Sequence, residues 1–202
     1  MFARNLFMAG ALILVTPMPA AGQGANPQHP DMQAMQMQAR IHLIMMTRSP
    51  DDEATGRAWL EKIAPDLMPS LDALKQASHD EYWAEIAQLA AQQGMASNIL
   101  FYKDTARADV VTKMFGVEAQ ARVQQRTYRT ATAASRPAIR AKIEALMTRH
   151  FDFEDQLRSL EVADIERRLA EVRAENQRRR DNRSEFIKFA VDDIIRDAIR
   201  PR

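Results

Sequence analysis

The apolar positions in the C-terminal third of the chain fall into a repeating pattern. Ile139, Ile143, Leu146, His150, Phe153, Leu157 and Leu160 alternate four and three residues apart, the heptad spacing that keeps one side of a helix turned toward a partner. Beyond Leu160 the register slips. Val162, Ile165, Leu169, Val172 and Asn176 then resume a three-four alternation, so two seams are joined by a discontinuity. From Ser135 to Arg180 there is no glycine, and the one proline, Pro137, stands where a helix start tolerates it. The pattern predicts a helix about 68 Å long at 1.5 Å per residue. Such an arm buries its seam only by folding across the rest of the chain or by pairing with another chain. Near Asp181 and Asn182 it either bends or continues, and Phe186, Ala190, Ile194 and Ala198 follow at helical spacing.

Upstream, helix punctuation is frequent and alternating strand patterns are nearly absent. Ser49 is placed as an N-cap, with Pro50 at the first helical position and Asp51, Asp52 and Glu53 in the first turn. Trp59, Leu60 and Ile63 form the buried side of this helix, and Pro65 stops it. Leu67, Leu71 and Leu74 recur at turn spacing in a second short helix. Ser78 and Glu81 have the spacing of a capping box ahead of a stripe made by Tyr82, Ile86, Leu89 and Ala90, with Gly94 as the expected end. From Ser97 to Ala134 the pattern stays helical, Gly116 being a possible break. The stretch from Glu118 to Ala134 is polar on most faces and needs partners from elsewhere in the fold or from another chain.

The stretch "HPDMQAMQMQARIHLIMM", His29 to Met46, reads as a two-faced helix when residues 31 to 47 are taken as helical. At 100° per residue Ala34, Met37, Ile41 and Ile44 gather on one side, and Met32, Met35, Ala39, His42 and Met46 gather nearly opposite. The expected fold class is therefore all-α. A bundle of short helices over residues 23–134 is followed by a long C-terminal helical, coiled-coil-like arm over 135–202.

Composition supports helix and narrows the compartment. The chain has 6 Gly, 27% charged residues and no cysteine, which removes disulfides, thiol nucleophiles and thiolate metal sites. Residues 1–22 have the layout of a secretory signal peptide: one charge at Arg4, an apolar run from Leu6 to Val15, then prolines and small residues. The competing reading is an uncleaved anchor, although a spanning helix needs roughly 20 apolar residues. Removing the segment takes away one Arg and no acid, leaving 27 basic against 27 acidic side chains. The expectation is an exported periplasmic or extracellular protein with no stable membrane insertion after cleavage. A neutral chain has no net field for gathering nucleic acid.

Little in the chain points to catalysis. There is no Gly-rich phosphate loop, GxSxG or HExxH, and no histidine stands three residues after a glutamate as a di-iron bundle requires. The reading is a non-enzyme without a cofactor. Two metal half-sites are conceivable on the methionine face, Met32 with Met35 and His42 with Met46, whose thioether and imidazole donors suit Cu(I). Met35 and His42 lie about 10.5 Å apart along the axis, so each half-site requires a third donor from elsewhere. His150 and Glu154 stand one turn apart and offer part of a zinc or nickel site, which closes with about four donors. The bland alternatives are a histidine along a helix interface and methionines that fill a hydrophobic or client-binding surface. The basic knot Arg178, Arg179, Arg180 and Arg183 is interrupted by acids and reads as a solvated face.

An exported, cysteine-free, all-helical chain of this size, rich in Met, Gln and Arg, resembles the Spy/CpxP group of periplasmic stress chaperones and metal-resistance-associated proteins. The LTxxQ hallmark of that group is absent, and the nearest stretch, "LMTRHFDFEDQL", departs from it. The segment "FEDQLRSLEVADIERRLAEVRAENQRRR" also resembles the charged coiled-coil arms of uncharacterised secreted bacterial proteins. The first resemblance implies a helical homodimer that cradles unfolded clients or senses envelope stress without ATP. The expected activity is self-association or protein binding through the arm, chaperone-like or related to envelope stress; the alternative is periplasmic soft-metal or zinc/nickel binding or sensing.

Overall fold

The structure is a computed structural model that describes residues 30–198, with side chains described for residues 34–196. Within these residues 92% are helical and there is no strand, as the polar and apolar pattern predicts. The elements are α1 (Pro30–Thr47), α2 (Pro50–Ile63), a 3₁₀ turn (Pro65–Leu67), α3 (Met68–Ala77), α4 (His79–Phe101), α5 (Thr105–Thr130), α6 (Arg136–Asp181) and α7 (Arg183–Ala198). The signal-like segment 1–22 lies outside the described residues. The chain divides into two compact units, residues 1–153 and 154–202, whose boundary falls inside α6.

Local chemistry sets the helix ends. The Ser49 hydroxyl accepts from the Asp52 N–H at 3.3 Å, and Pro50 and the acids of the first turn complete the start of α2. Ser78 caps α4 by accepting from the Glu81 N–H, while the Glu81 carboxylate turns outward to Arg129 at 3.1 Å. Asp104 caps α5 by accepting from the Arg107 N–H. The break before α5 departs from the helical pattern expected over 97–134. Residues 102–104 leave the helix, and Lys103 takes a φ of 61°, a left-handed turn with no glycine to announce it.

The first unit is built around α4. Helices α1, α2, α3 and α5 all pack on it, and its Tyr82, Ile86, Leu89 and Ala90 are fully buried, the stripe that its periodicity marks out. Trp59 and Leu60 come from α2, Leu71 from α3, Ile44 from α1, and Val111, Phe115 and Val117 from α5. Each such side chain contributes about 1.5–3 kcal/mol when buried. Of the α6 seam, Ile139 and Leu146 reach this core, and Ile143, His150 and Phe153 are half-buried. The first part of the long helix therefore belongs to the first unit.

Two glycines that punctuate the sequence do not end helices. Gly94 lies inside α4, which runs on to Phe101, and Gly116 lies inside α5. Gly116 is there for contact. A Cβ at that position would stand 2.9 Å from the carbonyl oxygen of Ile63, so α5 meets the end of α2 backbone to backbone. At Gly94 a Cβ would meet only the Arg40 guanidinium, at 3.4 Å.

In the second unit, the remainder of α6 is joined to α7 through a one-residue turn at Asn182. The Asn182 N–H donates to the Arg178 carbonyl, and the Phe186 N–H to that of Asn182, each at 3.1 Å. Backbone pairing thus runs up to the turn and away from it. None of the described side chains of this unit is buried.

The two glycines predict opposite outcomes in thermal or urea unfolding. Gly116→Ala should lose about 1–2 kcal/mol through the clash with Ile63, whereas Gly94→Ala should gain about 0.5–1 kcal/mol from helix propensity.

Candidate functional site

The polar half of α5 finds its partners within the fold. Glu85, on α4, is 6% exposed. Its Oε1 accepts from Arg122 Nε at 2.9 Å and its Oε2 from Arg126 Nη1 at 2.7 Å. Burial pushes the Glu85 carboxyl up, but the charges and hydrogen bonds of Arg122 and Arg126 outweigh burial and hold it below the ordinary carboxylate value. One turn of α5 earlier, Glu118 Oε2 accepts from Nε2 of the fully buried Gln92 at 2.8 Å. Glu118 Oε1 lies 3.1 Å from His150 Nε2 on α6. The cluster joins three helices by charge-assisted and neutral hydrogen bonds.

Apart from His150, this cluster is absent from the sequence-derived candidates, although traces of it are visible in the sequence. Glu118, Arg122 and Arg126 recur every four residues, and Glu85 and Gln92 stand seven apart beside the apolar stripe of α4. The cluster is accounted for by structure: its charges neutralise one another between packed helices. A second polar group staples α2 to α3 and α4, with Glu53 accepting from Lys75 and, at 2.6 Å, from the Tyr82 hydroxyl.

Of the zinc or nickel candidates, His150 lies 3.1 Å from Glu118 on α5, and Glu154 follows it by one turn on α6. On α1 the two faces separate as the helical wheel predicts. Ile44 is buried and Ala34, Met37 and Ile41 are half-buried toward α4, while Met35 (72%), Met46 (74%) and His42 are exposed. Met32 lies on α1, but its side chain is outside the described set. Among the described residues, no three or more His, Asp or Glu side chains converge as a metal site would need.

Two shallow grooves flank α4. The larger, about 360 Å³, is lined by Trp59, Lys62, Gln93, Ser97 and Thr112 among others. Lys62 is its one ionisable side chain, so the groove brings no acid and base together.

The arm carries a row of exposed apolar side chains. Val162, Ile165 (63%), Leu169 and Val172 are exposed, whereas Leu157 and Leu160 of the first seam are half-buried. The seam's discontinuity thus coincides with a change from partly covered to open apolar side chains. On α7, Phe186, Ile187, Val191, Ile194 and Ile195 are exposed as well. Among the described residues no helix is long and apolar enough to cross a membrane.

Removal of the Glu85 charge should show which groups hold the bundle together. Glu85→Ala takes the counter-charge from the half-buried Arg126 and leaves Arg122 with Glu118 at 3.9 Å, and should cost about 3 kcal/mol in urea unfolding. In the unaltered protein, the depressed Glu85 pKa contributes stability above the ordinary carboxylate range. That contribution should fade as pH falls through the folded-state value, and the acid-induced loss should be smaller in Glu85→Ala.

Comparison with known proteins adds no relative from which a role could be carried over, since no family model, curated protein or solved structure matches the chain.

Proposed function

We propose that this is an exported, non-enzymatic helical protein that acts by self-association or protein binding through its C-terminal arm, with chaperone-like activity as the broader role. One observation carries the reading: the open seam of Val162, Ile165, Leu169 and Val172 on a helix whose other faces are charged. A stripe of this kind, rimmed by charge, has the character of a helix-pairing surface. Covering these half-exposed side chains contributes about 1 kcal/mol apiece. Export is supported by the layout of residues 1–22. The non-enzymatic reading is supported by the lack of a known catalytic motif in the sequence and by a groove with a single ionisable side chain.

Light scattering on the protein at tens of micromolar should give a mass above that of one chain, and Leu169→Asp should return it to the monomer with helicity unchanged by circular dichroism. A strict monomer before and after the substitution would remove the self-association reading.

One observation favours a second reading, soft-metal binding. Met35, His42 and Met46 stand out from the core, so they are not packing residues of the bundle. That reading requires Ag(I), as a stand-in for Cu(I), to bind more tightly than about 10 μM. The His42→Ala, Met46→Ala double variant should abolish it. Weaker binding, or binding unaffected by the double variant, leaves the face a protein-contacting one.

A further inference from the structure

The charges beside the open seam carry more than the fact of pairing. With Val162 and Leu169 at a positions and Ile165 and Val172 at d positions, the flanking g positions are Glu161, Arg168 and Glu175, and the e positions are Glu166, Arg173 and Arg180. Some of the arm's charges also support its own helix: Asp164 pairs with Arg167, and the g-position Glu175 with Arg178 and Arg179. Among the described residues, Glu166, Arg168 and Arg173 have no ion-pair partner, and all three are exposed. They border the apolar stripe and are available to a second helix.

Which helix fits follows from matching these signs. A parallel, in-register copy sets each g residue against the e residue five positions on in its partner. That places Glu161 against Glu166 and Arg168 against Arg173, both like-charged, with only Glu175 and Arg180 opposite. The β-branched Ile165 and Val172 at d, with Leu169 at a, also suit a parallel two-stranded coil poorly. An antiparallel copy centred between Ala170 and Glu171 behaves differently. It sets Arg168 against Glu175 and Glu166 against Arg173, and the two-fold axis repeats each pair, so every contact between two charged e or g residues is attractive. Leu169 then faces Val172, Ile165 faces Asn176, and Val162 is covered by the aliphatic stem of Arg179.

The adjoining antiparallel register, shifted half a heptad toward the N-terminus, faces Val162 with Val172 and Ile165 with Leu169. It is more apolar, yet it brings Arg168 onto Arg168, Glu166 onto Glu166 and Glu161 onto Glu175. Charge complementarity separates the two, because every attractive contact of the first register is replaced by a repulsive one in the second. Resting on the self-association reading above, we propose that the arm's occupant is the arm of a second copy of this chain, paired antiparallel about the midpoint between Ala170 and Glu171.

The absence of cysteine makes the test direct. Two single-cysteine variants, Ile165→Cys and Asn176→Cys, are oxidised separately and after mixing. The expected result is a disulfide-linked dimer only in the mixture, because residue 165 faces 176 of the other copy and like positions are about 16 Å apart along the axis. Disulfides formed by each variant alone would overturn the orientation. A dimer by light scattering that gives no disulfide in the mixture would overturn the register, and a monomer would overturn the self-association reading itself. Charge reversal gives an independent sign: Arg168→Glu should weaken dimerisation about tenfold, and adding Glu175→Arg should restore it. In the parallel arrangement the same single substitution would strengthen association instead, and in the adjoining antiparallel register it would leave affinity nearly unchanged. Either result overturns the proposal.

Discussion

Helix α4 is packed on by four other helices, and that enclosure constrains the rest of the first unit. A helix surrounded in this way leaves little room for polar side chains, yet α4 carries Glu85 and Gln92 at buried positions. The carboxylate remains charged in the interior only because Arg122 and Arg126 reach both of its oxygens. The polar row on α5 follows from this requirement. It fixes how α5 is rotated against α4, and through Glu118 and His150 it also fixes the rotation of the first part of α6.

Much of this architecture is legible in the sequence because the relevant chemistry is local. Ser49 with Pro50, and Ser78 ahead of its stripe, mark helix starts that the caps reproduce. The two faces of α1 separate by a simple angular count. Glycine misleads where packing outweighs propensity: Gly116 is retained for a backbone contact with α2, a relation between distant segments that no local rule reports. The opposite failure occurs at Lys103, where a turn forms without the glycine that would advertise it.

The candidate site was legible in part for a similar reason. The heptad spacing identifies both seams, but spacing alone does not say which is covered from within the chain and which stays open. That depends on how far the core extends along α6, and burial falls away after Leu146. His150 shows the limit clearly. Its neighbour one turn away, Glu154, is the visible candidate on one helix, whereas its hydrogen-bond partner, Glu118, lies 32 residues earlier. A helical wheel ranks neighbours on the same helix and is blind to those contributed by another.

Every buried side chain among the described residues lies between Ile44 and Leu146, and this distribution makes stability uneven along the chain. Amides in α4 and α5 exchange with solvent only when the bundle opens as a whole. Those in the distal part of α6 and in α7 are guarded by helix-coil equilibria with no core of their own to reinforce them. A single unfolding free energy therefore does not describe this protein. Among the described residues, the arm is where a protease would cut first as long as it is unpaired.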